Sequence, residues 1–168
     1  MDVSAGRPLP PVERWHPPFC GDSQMRIARD GTWFHQGTPI GRLSLVQLFA
    51  RLLRKDDDGF MLVTPVEKLS IAVEDAPFIA VALEVEGTGQ GQRLMFRTNM
   101  GDIAAAGAAH GLRFVWADGA PIPYLDVRRG LEARLARPVY YQLMDLVTEE
   151  NGAPGVWSEG VFFPLSGT

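Results

Sequence analysis

The sequence has few of the residues that would fix a compartment or a chemistry. One cysteine, Cys20, occurs in 168 residues, so no intrachain disulfide can form. The three histidines, His16, His35 and His110, lack the spacing of metal ligands. No apolar run approaches the ~18–20 residues that a membrane-spanning helix needs. These shortages exclude a disulfide scaffold, and we expect no metal, no cofactor and no membrane span.

Neither sign of charge dominates the chain. The net charge is −4, with 9 basic and 11 acidic residues in 1–84, and 7 and 9 in 85–168. Neither half has the basic excess of a general nucleic-acid-binding protein. The first residues have no apolar core after their positive charge, so we expect no secretory signal. Since a lone thiol fits a reducing compartment, we predict a cytoplasmic globular protein.

The clearest local pattern lies in "DGTWFHQGTPIGR" (30–42) and the residues after it. Asp30-Gly31 is a turn dipeptide suited to a hairpin, and 37–40 forms a corner. Ser44 and Gln47 are spaced as in a capping box. The helix expected to follow has one apolar face, formed by Leu45, Leu48, Phe49, Leu52 and Leu53.

Short segments rich in β-branched and aromatic residues predict strands through the rest of the chain. They include "FMLVT", "KLSIAVE", "FIAVALEVE", "RLMFRT" and "LRFVWA". A second helix is predicted over 127–136, and "GVWSEGVFFPL" is typical of two strands joined by a turn. Strands outnumber helices, and the expected fold class is α+β.

An internal similarity organises these elements. "VWADGAPIPYL" (115–125) aligns with "WFHQGTPIGRL" (33–43) at a constant offset of 82. Agreement of turn, helix cap and helix at one offset favours a duplication over a chance match between Gly-x-Pro turns. The predicted repeat is a hairpin, a helix and then strands, in two similar subdomains.

Two motifs fail to match the templates that they suggest. "DDDG" (56–59) would place Arg54 and Pro65 at the first and twelfth positions of a calcium loop, where oxygen ligands are required. "GTGQGQ" (87–92) has Gln92 where a dinucleotide fingerprint needs its third glycine, and a strand follows it. We therefore expect neither calcium nor a dinucleotide at these positions.

Two other stretches place polar side chains near strand ends, where a ligand can be held. "TPVEKL" (64–69) contains Lys68, and "RTNMGD" (97–102) contains Arg97 and Asn99. Guanidinium and amide donors suit the recognition of an anion. Surface ion pairs and Asx turns use the same residue types, so a structural role is the alternative.

The order and spacing of several motifs resemble the bacterial family called domain of unknown function 1285. They are "DGTWFHQGTPIGRLSLVQLFARLL", "DGFMLVTPVEKLSIAVEDAPF", "FRTNMGD" and "GVWSEGVFFPL". The resemblance covers about residues 20–165. It implies a duplicated α+β core, with a C-terminal subdomain loosely like a pleckstrin-homology fold. It also implies a ligand pocket at the subdomain interface and a role in signal transduction, without an established activity.

We accordingly divide the chain into a proline-rich segment (1–19), an N-terminal α+β subdomain (20–75) and a β-rich C-terminal subdomain (76–168). The first hypothesis is a non-enzymatic regulatory protein that binds a small, nucleotide-like anion between the subdomains. Its predicted ligand-binding residues are Arg42, Lys68 and Arg97 for the anion, Asn99 for orientation, and Trp33 and Tyr124 for stacking.

Two other classes of function stay open at this point. The chain could be an interaction module that docks a protein partner through the Trp15–Phe19 segment or through "VWSEGVFF". An enzyme is the third class, with His35, or Glu67 together with Lys68, as its candidates. None of these has a recognisable catalytic spacing, so we predict no catalytic residues.

Overall fold

The computed structural model describes residues 8–166, which form two compact units divided between Pro77 and Phe78, with Arg129–Leu131 grouped with the N-terminal unit. The N-terminal unit contains a 3-10 helix (Val12–Arg14), β1 (Phe19–Ile27), β2 (Trp33–His35), β3 (Thr38–Pro39), α1 (Leu43–Ala50), β4 (Leu53–Asp56), β5 (Gly59–Val63) and β6 (Lys68–Val73).

The second part of the chain contains β7 (Phe78–Glu86), a 3-10 helix (Gly89–Gly91), β8 (Arg93–Thr98), β9 (Ile103–Ala105), β10 (Leu112–Ala117), β11 (Ala120–Arg128) and β12 (Leu131–Leu135). It continues with α2 (Arg137–Met144), β13 (Thr148–Glu150), β14 (Ala153–Ser158) and β15 (Val161–Pro164). Most of the strands predicted from the sequence are present.

The predicted α+β class is wrong. Strands account for 50% of the structure and helices for 14%, and α1 and α2 are the two α-helices of the described chain. The protein is mostly β. The C-terminal unit combines a six-stranded sheet with a three-stranded one, β13-β14-β15, which follows α2. The pleckstrin-homology likeness expected of it stays a prediction.

The two six-stranded sheets have the same topology. Their strand orders are β3-β2-β1-β6-β5-β4 and β10-β11-β12-β7-β8-β9. Counted from its own first strand, the first sheet reads third, second, first, sixth, fifth, fourth, and the second sheet gives the same order when it is read from β9 to β10. The first and sixth strands are parallel in both sheets. This arrangement fits the predicted duplication.

The offset of 82 is not the offset of this duplication. It aligns β2 and β3, the second and third strands of their sheet, with β10 and β11, the fourth and fifth strands of theirs. Equivalent strands lie closer together in the sequence: β1 begins at residue 19 and β7 at residue 78, a separation of 59, and β4 and β10 begin at 53 and 112, again 59. The short identity came from two similar turns.

The helix predicted over 127–136 is a β-hairpin. Arg129 and Gly130 have φ angles of 47° and 81°, as a two-residue turn between strands requires. Along β12, Leu131, Ala133 and Leu135 are buried, which is the alternation of a strand. The second helix begins directly afterwards, at Arg137, with a proline in its first turn.

Helix α1 is shorter than predicted and differently oriented. It ends at Ala50, and Leu53–Asp56 form strand β4. Its N-cap is Arg42, without a side-chain capping bond, so the predicted capping box is wrong. The residues that it buries are Val46, Gln47 and Ala50, whereas Leu48 is 55% exposed.

The N-terminal segment is attached to its unit by Arg54. One nitrogen of this guanidinium, Nη1, donates hydrogen bonds of 2.8 Å to the carbonyl oxygens of both Val12 and Trp15. Val12 is buried against Met61 and Val63, and Trp15 packs on the same cluster. Phe19, at the end of this segment, is exposed.

Each unit has its own apolar core. Fully buried side chains in the N-terminal unit include Ile27, Trp33, Leu53 and Val63. Those of the C-terminal unit include Phe78, Leu94, Phe96, Leu125, Leu143 and Val156. Within residues 8–166, neither helix has the length and hydrophobicity that would be needed to cross a bilayer.

Candidate functional site

The predicted ligand-binding residues of the N-terminal unit occupy three different environments. Trp33 is 2% exposed, and its Nε1 has no hydrogen-bond partner within residues 8–166. Arg42 is exposed at the start of α1. The Nζ of Lys68 lies 3.1 Å from Oδ2 of Asp56. A buried ring offers no face for stacking, and the Lys68 charge is already paired.

The predicted ligand-binding residues of the C-terminal unit also occupy three different environments. Arg97 is exposed on β8 and lines a small hollow beside Glu84. The amide oxygen of Asn99 accepts the N–H of Ile79 at 3.0 Å, which ties a turn to β7. The guanidinium of Arg113 covers the ring of Tyr124, 4.7 Å from its centroid. The ligand-binding role of these six residues stays a prediction.

A cavity of about 320 Å³ in the C-terminal unit has the composition of an anion site. We name it the α2 cavity, and it is lined by Ala120, Pro121, Ile122, Pro123, Arg134, Leu135, Arg137, Tyr140 and Tyr141. None of these residues was selected from the sequence.

The local sequence explains why a cavity forms here. Strand β11 has nine residues and β12 has five, and a two-residue turn joins them. Since such strands pair outwards from the turn, the first residues of β11, Ala120–Pro123, extend past the end of β12. Pro121 and Pro123 have no N–H with which to bind another strand. Helix α2 follows β12 directly, and the space between it and β11 stays open.

The charged groups of the α2 cavity are two guanidinium groups. Arg134 lies near the end of β12, and Arg137 is the first residue of α2. No Asp or Glu within the described residues lines the cavity. The wall of this cavity thus contains two guanidinium groups and no carboxylate, in a chain whose net charge is −4. Guanidinium forks match the oxygens of carboxylate and phosphate.

Two aromatic rings complete the wall. Tyr140 and Tyr141 pack edge to face, with ring centroids 5.7 Å apart and an interplanar angle of 65°. Tyr141 is 58% exposed, so one face of its ring is accessible from solvent. A planar group held by the arginines can stack on such a ring.

A larger hollow of about 400 Å³ lies in the N-terminal unit, where β1 bulges away from β6. Its one cationic wall residue is Arg26, which is already engaged. Nη1 of Arg26 lies 2.5 Å from Oε1 of Glu74, and its guanidinium stacks over Phe34 at 4.3 Å. This hollow therefore has no net positive charge to offer an anion, although it is larger than the α2 cavity.

The sequence did contain a signal for the α2 cavity. In "RLARPVYY" (134–141), a proline follows Arg137, and proline favours the first turn of a helix. The helix assigned to 127–136 concealed this start. In addition, no group of three or more His, Cys, Asp or Glu side chains that could hold a metal ion occurs in the described part of the chain.

The fold and the cavity define a mostly β protein of two units whose six-stranded sheets have the same topology, with an arginine- and tyrosine-lined cavity in the second unit. Comparison with known proteins identifies its family: the chain belongs to the DUF1285 family. The N-terminal domain of this domain of unknown function matches residues 10–76. The C-terminal domain, described as that of a protein of unknown function, matches residues 77–165. The resemblance seen in the sequence is thereby confirmed.

Two solved structures are similar to this chain. A DUF1285 family protein from Silicibacter pomeroyi DSS-3 is 53% identical, with a TM-score of 0.91, over 95% of this chain and 88% of that one. A DUF1285 family protein from Shewanella baltica OS155 is 30% identical, with a TM-score of 0.58, over 73% of this chain and 91% of that one. No curated protein matches. The two similar structures come from bacteria.

Proposed function

We propose that this protein binds a small organic anion that carries a planar ring, such as a mononucleotide, and that the α2 cavity is the binding site. The observation that carries the proposal is the pair of arginines, Arg134 and Arg137, in a wall without carboxylates. The role is binding and regulation, without catalysis.

The charge of the cavity supports an anionic ligand. Two guanidinium groups three residues apart can direct several N–H donors towards one group of oxygens. A carboxylate or phosphate bound there exchanges hydration for charge-assisted hydrogen bonds, each worth about 1.5–3 kcal/mol. The protein as a whole is acidic, so the preference for anions is a local property of this cavity.

The size and the rings support a ligand no larger than a mononucleotide. A volume of about 320 Å³ is at the lower end of the ~300–1,000 Å³ range of ligand pockets. Stacking of a base on an aromatic side chain contributes about 1–3 kcal/mol, and Tyr141 presents the accessible ring.

We further propose that the protein acts in the cytoplasm as a regulatory module in signal transduction. The single free thiol, Cys20, is exposed, and such thiols remain reduced in that compartment. The fraction of protein with an occupied cavity would then follow the concentration of the ligand.

Isothermal titration calorimetry with a panel of nucleoside monophosphates tests the proposal, with inorganic phosphate and the corresponding nucleosides as separate arms. We expect at least one monophosphate to bind more tightly than either part alone, because charge and stacking act together. Arg137→Ala should weaken its binding about tenfold or more, since losing one charge-assisted hydrogen bond costs about 1.5–3 kcal/mol.

Arg97→Ala is the matched control, because it removes an exposed arginine of the same unit that does not line the cavity. It should leave the affinity unchanged. Loss of binding in Arg97→Ala but not in Arg137→Ala would place the ligand at the residues predicted from the sequence and refute the cavity. Absence of binding throughout the panel would refute the nucleotide-like ligand itself.

A further inference from the structure

Strand β10 is an exposed edge of its sheet, and it differs from the other edge strands. The six-stranded sheets end in β3, β4, β9 and β10. Strands β3 and β9 have two and three residues, and β4 carries Arg54, Lys55 and Asp56. Short or charged edges discourage pairing with another chain. Strand β10 has six residues, "LRFVWA", and is largely apolar.

The pairing of β10 with β11 shows which of its backbone groups are unused. The N–H of Asp126 donates to the carbonyl oxygen of Gly111, so the backbone of Gly111 points towards β11. Backbone direction alternates along an antiparallel strand. The N–H and C=O groups of Leu112, Phe114 and Trp116 therefore point away from β11, to the open edge.

The prolines of β11 confirm this alternation. Pro123 lies opposite Phe114, and Pro121 lies opposite Trp116. Proline has no N–H and can occupy only positions whose backbone does not donate to the neighbouring strand. Within residues 8–166, no hydrogen bond satisfies the outward groups of Leu112, Phe114 and Trp116.

A groove of about 570 Å³ runs along this edge. Its near wall is Leu112–Trp116, and its far wall is formed by Pro164 and Ser166. The indole N–H of Trp116 donates to the carbonyl oxygen of Leu165 at 2.8 Å, which fixes the far wall to the strand at one point. The groove is thus bounded on both sides within the C-terminal unit.

Arg113 is the one charged residue of β10, and its charge is compensated within the same unit. Nε and Nη2 of Arg113 donate to the Glu132 carboxylate at 2.6 and 2.8 Å, and its guanidinium lies over Tyr124. Its charge is therefore paired across the face of the sheet. Val115 and Trp116 are 39% and 54% exposed, and because they are adjacent in the strand they provide one apolar contact on each face of the sheet edge.

The dimensions of the groove fit a short strand. A rise of about 3.4 Å, a strand spacing of about 4.8 Å and a thickness of about 10 Å give roughly 160 Å³ for each residue. A volume of about 570 Å³ therefore holds about three or four residues in extended conformation. That length covers most of the five-residue span Leu112–Trp116, which contains the three outward-facing residues.

We propose that this groove binds an extended, uncharged peptide segment of a partner protein, which pairs with β10 as a seventh strand. The partner's backbone would satisfy the N–H and C=O groups of Leu112, Phe114 and Trp116. Its side chains on one face would contact Val115, and those on the other face would contact Trp116. Main-chain pairing of this kind provides affinity, and the side-chain contacts provide selectivity. This surface does not overlap the α2 cavity and is independent of the ligand proposed there.

A random hexapeptide display library selected against the intact chain supplies the probe, and the enriched peptide is then synthesised. Amide hydrogen exchange by NMR is measured with and without it. We expect the amides of Leu112, Phe114 and Trp116 to exchange at least tenfold more slowly when the peptide is bound. The amides of Arg113 and Val115, which already face β11, should change little.

Val115→Lys adds a charge to the edge without altering the buried core, and it should reduce the peptide affinity about tenfold or more. Val85→Lys is the matched control, because Val85 is 41% exposed and lies outside the groove; it should bind normally. No enrichment from the library, protection at other amides, or equal losses in both variants would overturn the proposal. Protection of the same amides without peptide, together with concentration-dependent dimerisation, would assign the edge to a second copy of this chain instead.

Discussion

The carboxylate of Asp56 holds two cationic side chains of the N-terminal unit together. Its carboxylate accepts hydrogen bonds from Nε and Nη2 of Arg54, at 2.7 and 3.0 Å, and from Nζ of Lys68 at 3.1 Å. The bonds from Arg54 are the main cause that lowers the pKa of Asp56; burial opposes this and Lys68 adds to it. The same contact raises the pKa of Arg54.

Asp56→Asn should therefore destabilise the protein at neutral pH, by about 1–3 kcal/mol, because it leaves Arg54 and Lys68 without their anion. A pKa that is lower in the folded state adds stability above the unfolded value of about 4, and this stability is lost as the pH falls through the folded value. Urea unfolding at pH 7 and near pH 3 should show a large difference between variant and parent at pH 7 and a small one at pH 3.

The matched control for Asp56→Asn is Asp58→Asn, two residues away in the exposed turn between β4 and β5. It should change the free energy of unfolding by less than about 0.5 kcal/mol at either pH. An equal effect of the two variants at pH 7 would show that the ion pairs contribute nothing measurable.

Single residues are also where the sequence was least informative about the site. The motif "TPVEKL" contains Lys68, but the ion-pair partner of Lys68, Asp56, stands twelve positions earlier in the sequence, in the motif that was compared with a calcium loop. Likewise, Arg134 and Arg137 meet Tyr141 at one cavity only because β12 ends and α2 begins between them. Such convergence depends on the turns, which local patterns do not specify well.

At the scale of elements, helix α1 provides a direct test of orientation. Spacing in the sequence predicted that Leu48 faces the core, whereas the structure buries Val46 to 6% exposure and leaves Leu48 55% exposed. Val46→Ser should cost about 2 kcal/mol or more, since it removes buried apolar surface and buries a hydroxyl. Leu48→Ser should cost less than about 1 kcal/mol, mainly through helix propensity. Chemical denaturation of both variants measures the difference.

The two variants of α1 introduce the same side chain two positions apart, so each is the control of the other. A larger loss for Leu48→Ser than for Val46→Ser would support the orientation predicted from the sequence. The hydrophobic pattern failed here because leucines at 43, 45, 48, 52 and 53 allow more than one apolar face. The eight-residue helix ends before the last two of them.

Strands were predicted better than helices because their signal is shorter. β-Branched and aromatic runs of five to nine residues, such as β5 and β7, are sufficient to specify a strand. By contrast, "VRRGLEARLAR" satisfies both a helical spacing and the alternation of a hairpin. In the structure this segment is a hairpin, and Arg129 and Gly130 have the positive φ angles of its turn.

At the scale of the whole molecule, the two six-stranded sheets share a topology but differ in the cavities that their strands form. Strand β5, the fifth of its sheet, has five residues, whereas its equivalent β11 has nine and contains Pro121 and Pro123. The extension that forms one wall of the α2 cavity is thus specific to the second copy. The sequence predicted that a repeat exists, but not its offset, because equivalent strands keep their order and lose their residue identities.

The charge of the whole chain leads to a final prediction. With a net charge of −4 and an acidic excess in each half, the intact protein should show no measurable association with random duplex DNA at physiological salt. The two arginines of the α2 cavity can neutralise at most about two phosphates, whereas non-specific binders contact several.

Fluorescence anisotropy of a labelled random duplex, titrated with protein at 50 and 150 mM salt, checks this prediction. Binding that weakens steeply between the two salt concentrations would mean that a basic surface exists which neither the composition nor the cavity accounts for. Arg137→Ala would then separate the cases, since it should reduce such binding only if the cavity itself contacts the phosphates.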